Sequence, residues 1–61
     1  MYFGELSPSG LRDGLGVLLY KTSRVYEGDW VLDLRDGRGY ELYQNGNIYI
    51  GEYHRGKAQG N

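Results

Sequence analysis

Tyr26-Glu27-Gly28-Asp29-Trp30 and Tyr49-Ile50-Gly51-Glu52-Tyr53 are two copies of one pattern, and Tyr2-Phe3-Gly4-Glu5-Leu6 opens the chain with a third. The central glycines Gly4, Gly28 and Gly51 lie 24 and then 23 residues apart. A fixed period in that range marks stacked copies of one supersecondary unit, each too small to bury a hydrophobic face alone. Function in such an array belongs to a surface.

Outward from these segments the register continues. Every copy places an acid after the glycine: Glu5, Asp29 and Glu52. Gly37 and Gly60 follow nine residues beyond Gly28 and Gly51, and Gly14 follows ten beyond Gly4, which points to a one-residue insertion within Ser7-Pro8-Ser9. Gly14-Leu15-Gly16 and Gly37-Arg38-Gly39, each preceded by Arg-Asp, open the second half of a unit. Val17-Leu18-Leu19-Tyr20 and Tyr40-Glu41-Leu42-Tyr43 then supply short β-favouring runs. Asn45-Gly46 lies between two such segments, where both residues adopt positive φ at low cost, the strongest short-range hairpin signal. Its counterpart, Lys21-Thr22-Ser23-Arg24, lacks glycine, so a turn of different or more strained geometry is expected there.

These signals predict an all-β chain: an open antiparallel meander with strands near residues 1–6, 15–21, 24–32, 38–44 and 47–53. Alternation puts Tyr26, Gly28 and Trp30 on one face and Glu27, Asp29 and Val31 on the other. Glycine weakens a strand, so its recurrence between aromatics calls for a packing reason: a neighbouring ring lies over the bare backbone. The rings then either constitute the core or line a groove open to a partner.

With 61 residues the chain forms at most one small domain, and without cysteine no disulfide supports it. The lack of cysteine, of a leader and of a long apolar run fits an intracellular, cytoplasmic setting. Seven Lys and Arg against eight Asp and Glu leave a net charge of -1, which argues against a nucleic-acid binder driven by counterion release.

Tyr-x-Gly-x-Trp/Tyr with glycine nine residues later, Gly-x-Gly in two copies and Asn-Gly closing one resembles the MORN (membrane occupation and recognition nexus) repeat. The resemblance spans the chain as a single array 1–61, with units 2–25 and 26–48 and a partial unit 49–61. Leu6 departs from it where an aromatic is usual, and Asp33 stands where the third unit has Gly56. Because the sequence stops at Gly60-Asn61, strand five is expected to lack its hairpin partner, as in a fragment of a longer array. The resemblance implies an elongated, twisted, gutter-shaped sheet with aromatic side chains along its concave side. It also implies a binding or scaffolding role, since such repeats occur beside lipid-kinase and methyltransferase domains, in junctional membrane proteins, and in ciliary and cytoskeletal assemblies.

Chemistry is sparse. His54 has no evident catalytic companion and reads as a loop histidine; no catalytic residue, metal site or cofactor is expected. Gly14-Leu15-Gly16 and Gly37-Arg38-Gly39 precede strands, whereas a phosphate loop needs a following helix, so these are turn and close-packing glycines. Glu5, Asp29 and Glu52 either face solvent or accept hydrogen bonds, with Arg12, Arg24, Arg35 and Arg38 expected nearby. Arg12, Arg35, Arg38, Arg55 and Lys57 fall short of the dense basic cluster of roughly four to eight residues that electrostatic attachment to phosphoinositide membranes requires.

The expected role is therefore a non-enzymatic interaction module whose protein partner or neighbouring repeats engage Tyr26, Trp30, Tyr49 and Tyr53, large rings favoured at binding hot spots. The structural glycines are Gly4, Gly14, Gly16, Gly28, Gly37, Gly39, Gly51 and Gly60. A cytoskeletal or ciliary strut oligomerising through sheet edges, or a regulatory segment of a lipid kinase, are the alternatives. An open sheet this small is expected to fold poorly alone.

Overall fold

Each aromatic-spacer-glycine segment becomes a strand, and each Gly-x-Gly segment lies in the strand that folds back on it. The computed structural model describes residues 1–59; the repeat position Gly60 lies outside the described residues. Strands β1 (Tyr2–Leu6), β2 (Arg12–Leu19), β3 (Val25–Val31), β4 (Leu34–Leu42), β5 (Ile48–His54) and β6 (Lys57–Ala58) form one antiparallel sheet in chain order, with overall extents of 34 × 26 × 13 Å.

Two expectations need correction. β2 and β4 begin at Arg12 and Leu34, not at 15 and 38, because pairing with β1 and β3 resumes on the far side of a bulge. Strand five also has a partner. The two-residue turn Arg55-Gly56 reverses the chain at once, and Lys57–Ala58 pairs back through Tyr53↔Ala58 and His54↔Lys57.

Gly4, Gly16, Gly28, Gly39 and Gly51 stand directly opposite one another across five strands. This glycine row is the floor on which the tyrosines lie. A Cβ at Gly39 would sit 2.5 Å from Tyr26 Cε1, one at Gly16 would sit 2.5 Å from Tyr2 Cζ, and one at Gly51 would sit 2.6 Å from Tyr49 Oη. Each ring runs along its own strand, and its hydroxyl donates to the carbonyl three residues on: Tyr2 to Glu5 at 2.7 Å, Tyr26 to Asp29 at 2.9 Å, Tyr49 to Glu52 at 3.0 Å. The expected packing reason for the recurring glycine is thus met within the repeat itself.

The glycines that open Gly-x-Gly have another task. Between Gly4↔Gly16 and Leu6↔Arg12, and again between Gly28↔Gly39 and Trp30↔Arg35, the returning strand carries extra residues in a bulge. Gly14 (φ 99°) and Gly37 (φ 108°) turn the backbone there. The acid after the first glycine caps the bulge: Glu5 Oε1 accepts from Leu15 N at 3.0 Å and Asp29 Oδ2 from Arg38 N at 3.1 Å. Glu5 and Asp29 therefore bond backbone amides of the adjoining strand, while Arg12, Arg24 and Arg35 pair elsewhere.

Two turn types alternate. Tyr20–Arg24 and Tyr43–Asn47 share one frame with Ser7–Leu11, in which the first amide donates to the fifth carbonyl at 2.7–2.9 Å and the fourth residue has positive φ. This is a type I turn closed by a left-handed residue. Gly46 fills that position at φ 91°, but Asn45 is not left-handed; its Oδ1 instead accepts from Asn47 N at 3.0 Å. Ser23 takes the same place at φ 68°, so the glycine-free turn keeps the common geometry at a conformational cost. The other type has two consecutive left-handed residues, Leu32-Asp33 (φ 46° and 76°) and Arg55-Gly56 (φ 51° and 86°), as type I′ hairpins demand.

Candidate functional site

Rings fill one face of the sheet. Tyr2, Trp30, Tyr26, Tyr53 and Tyr49 make a chain of edge-to-face contacts with centroids 5.7, 5.1, 5.0 and 5.4 Å apart, an arrangement that brings the positive ring edge to the negative ring face. The aromatic two residues after the glycine, Trp30 or Tyr53, is inserted between the leading tyrosines of successive units. Trp30 Nε1 donates to Gly16 O at 3.3 Å.

Arginines cover this layer. The Arg12 guanidinium lies 4.4 Å from the Trp30 centroid, and Arg35 lies 5.0 Å from that of Tyr53, both within cation–π range. Both also reach over the next hairpin turn. Arg12 Nε donates to Asp33 Oδ1 at 2.6 Å while Asp33 N donates to Arg12 O at 2.7 Å; Arg35 Nη2 donates to Gly56 O at 2.6 Å while Gly56 N donates to Arg35 O at 2.7 Å. Asp33 in the glycine position thus gains an ion pair in return for its strained φ, and the Arg12 side-chain and backbone hydrogen bonds hold its carboxyl below the usual range.

At the junction of units 26–48 and 49–61 sits Glu41, buried, where the preceding unit has the apolar Leu18. Its Oε1 accepts from Arg35 Nη1 at 2.9 Å and from the Tyr53 hydroxyl at 2.6 Å, and its Oε2 accepts from Arg24 Nε at 3.0 Å and from Arg24 Nη2. Burial acts to raise its pKa, but the Tyr53 and Arg24 hydrogen bonds and the two guanidinium charges outweigh that and hold the carboxyl below its ordinary value. Burial pushes the Tyr26 hydroxyl up to about 12, and burial with the bond to Glu41 pushes Tyr53 well above the usual tyrosine range. The sequence reading missed this cluster; the signal was an acid replacing an apolar residue at one repeat position.

The proposed contact residues Tyr26, Trp30, Tyr49 and Tyr53 do come together, but as interior. Tyr26 is 0% exposed and Trp30 and Tyr53 are 3% exposed, so of the four only half-buried Tyr49 retains surface for a partner. The aromatic groove is corrected to an aromatic core, because ring edges, arginines and the Glu41 cluster close it from within. His54 is not in a loop but ends β5, exposed and 4.0 Å from Asp36 Oδ2, because the turn at Arg55-Gly56 extends the pairing to His54↔Lys57; among the described residues no group of three or more potential ligands could hold a metal ion.

The opposite face is open. Cross-strand register aligns Phe3, Val17, Glu27, Tyr40 and Ile50 in one row and Leu19, Val25, Leu42 and Ile48 in the next. Ile50 is 67% exposed and Leu15 62%. Leu15, Val17, Glu27, Arg38, Tyr40 and Ile50 border a trough of about 600 Å³ whose floor is the backbone of Gly16, Gly28 and Gly39. Strand alternation carried the signal, but the sequence reading followed the acids of this face rather than its aliphatics.

Successive hairpins in a single layer, one face closed by rings and one open, define a repeat module in which each unit is completed by its neighbours. The MORN repeat model matches residues 9–23, 26–48 and 49–61, and the chain belongs to the MORN repeat family. No curated protein matches the chain. The family is a non-catalytic repeat module that generally mediates protein or membrane-lipid interactions.

Proposed function

We propose that the chain is a non-enzymatic scaffold that binds a protein segment on its open apolar face. The single observation behind this reading is the trough over the glycine row, bordered by Leu15, Val17, Tyr40 and Ile50, where apolar side chains stay in water although the other face has formed a core. Covering such side chains contributes roughly 25 cal/mol for each Å² removed from water. A lipid-headgroup role has less support, since Arg12 and Arg35 are engaged with Asp33 and Glu41.

Selection of peptides from a displayed library tests this. Peptides that bind the chain are expected to lose binding to Leu15→Lys and Ile50→Lys variants with unchanged melting temperatures. Binding that survives both substitutions would remove the open face as the site. Edge pairing into a strut is supported by the outer positions of β1 and β6 in the strand order. Sedimentation across a concentration series checks it, and a monomer throughout would count against it.

A further inference from the structure

We infer that the segment held on the open face is an amphipathic helix bearing a lysine or arginine at its centre, selected by Glu27. This rests on the reading of that face as the binding site. In the row Phe3–Val17–Glu27–Tyr40–Ile50, Glu27 is the one charged residue and stands in the middle, with apolar or aromatic side chains on both sides. Its carboxylate is exposed and makes no ion pair among the described residues. Arg38, the other charged residue bordering the trough, stands opposite Glu52 in register, whereas Glu27 faces only Val17 and Tyr40, so an occupant that covers the row dehydrates the Glu27 charge and a cation set against it offsets the loss. Tyr40, directly opposite Glu27 in register, adds a ring that favours the same cation.

Shape and spacing point to a helix. The trough is open along its length, with Val17, Tyr40 and Ile50 on one side of the glycine row and Leu15 and Arg38 on the other, and a rounded occupant reaches both sides at once. A second copy of the chain does not fit the charge, since a two-fold axis through the row sets Glu27 against Glu27. Strands lie about 4.8 Å apart and a helix rises about 5.4 Å per turn, so a helix laid along the row places about one turn over each strand. Apolar residues three or four positions to either side of the central cation then meet Val17 and Tyr40, and those a further turn out meet Phe3 and Ile50.

The test is a selection from displayed helix-forming peptides of about five turns with randomised face positions, run in parallel on the chain and on Glu27→Lys. The chain is expected to enrich Lys or Arg flanked by apolar residues at helical spacing, and Glu27→Lys to enrich Asp or Glu at that position. For the best peptide, replacing the central cation by Glu should weaken binding to the chain about tenfold or more, as close charge pairs at interfaces do, and strengthen binding to Glu27→Lys. Peptides that bind the chain and are lost on Ile50→Lys, yet show no central cation or no change with Glu27→Lys, overturn the inference and leave the open face as the site. Selected peptides that are indifferent to Ile50→Lys overturn both.

Discussion

The Tyr53 hydroxyl donates to Glu41 Oε1 at 2.6 Å, and this bond joins the last unit to the one before it through a buried carboxylate that also receives Arg24 and Arg35. Removing Glu41 leaves two guanidinium groups facing each other without their counter-ion. Loss of one member of a buried ion cluster costs about 3–5 kcal/mol, and the partial exposure of both arginines lowers that to about 2–3 kcal/mol. A compact domain of this size has a stability of order 3–9 kcal/mol, and an open sheet has no more than that to lose. Glu41→Ala is therefore expected to abolish or severely lower the thermal transition followed by circular dichroism; a melting temperature equal to that of the parent chain would contradict the cluster's role.

Acid should act through the same residue. In the folded chain Glu41 titrates below its ordinary 4.5, so the folded state takes up its proton less readily than the unfolded chain. The associated stabilisation is complete above about pH 4.5 and is lost as pH falls through the lower folded value. Melting temperatures are expected to drop on acidification below that point and to drop less steeply in Glu41→Gln. Equal slopes would show that other carboxyls govern acid unfolding.

Alkali should act in the opposite sense on Tyr26. Its hydroxyl is raised from 10.0 to about 12, so its contribution is intact below about pH 10 and is lost as pH rises toward 12. Titration by tyrosinate absorbance should find hydroxyls that ionise only as the sheet unfolds. Ionisation of all seven tyrosines in one step near the free value, with the sheet intact, would refute the burial of Tyr26.

The glycine row should be intolerant where a ring covers it. In Gly39→Ala the new methyl meets the Tyr26 ring, which has no free space to retreat into, and overpacking of this kind costs about 1–3 kcal/mol. Gly46→Ala meets nothing within 4 Å and bears only the left-handed backbone penalty of about 1–2 kcal/mol. Chemical denaturation should rank Gly39→Ala as the less stable; the reverse order would argue against the ring-over-glycine arrangement.

Two turns offer stabilisation. Ser23→Gly relieves a left-handed residue in an exposed turn, with an expected gain of about 1 kcal/mol or roughly 4–8 °C in melting temperature. Leu32→Asn suits a type I′ position better than leucine and leaves the Asp33–Arg12 pair in place. A fall in melting temperature for either variant would mean that the turn does not have this backbone.

Repeat spacing, strand alternation and the aromatic-spacer-glycine pattern were enough to predict the antiparallel meander and the ring lying on glycine. The ring's place on its own glycine is local, since a tyrosine two residues before a glycine reaches it along the same strand; that the ring also covers Gly16 or Gly39 on the adjoining strand follows from the register that sets glycine opposite glycine. The Gly14 and Gly37 bulges were less legible, because their cause is a carboxylate on the adjoining strand. Glu41 was illegible for a similar reason: Arg24, Arg35 and Tyr53 are 17, 6 and 12 residues away, come from all three units, and meet it only once the units dock on one another.

By itself the sequence determined the period, the all-β class and which residues recur, because periodicity and backbone preference are properties of short segments. The tertiary structure decided which face is closed. Alternation separates two sets of side chains without ranking them, and only the insertion of Trp30 and Tyr53 between successive tyrosines, under Arg12 and Arg35, turns the aromatic set into core. The aliphatic set around Glu27 is then left in water, and with it the surface proposed to bind a partner.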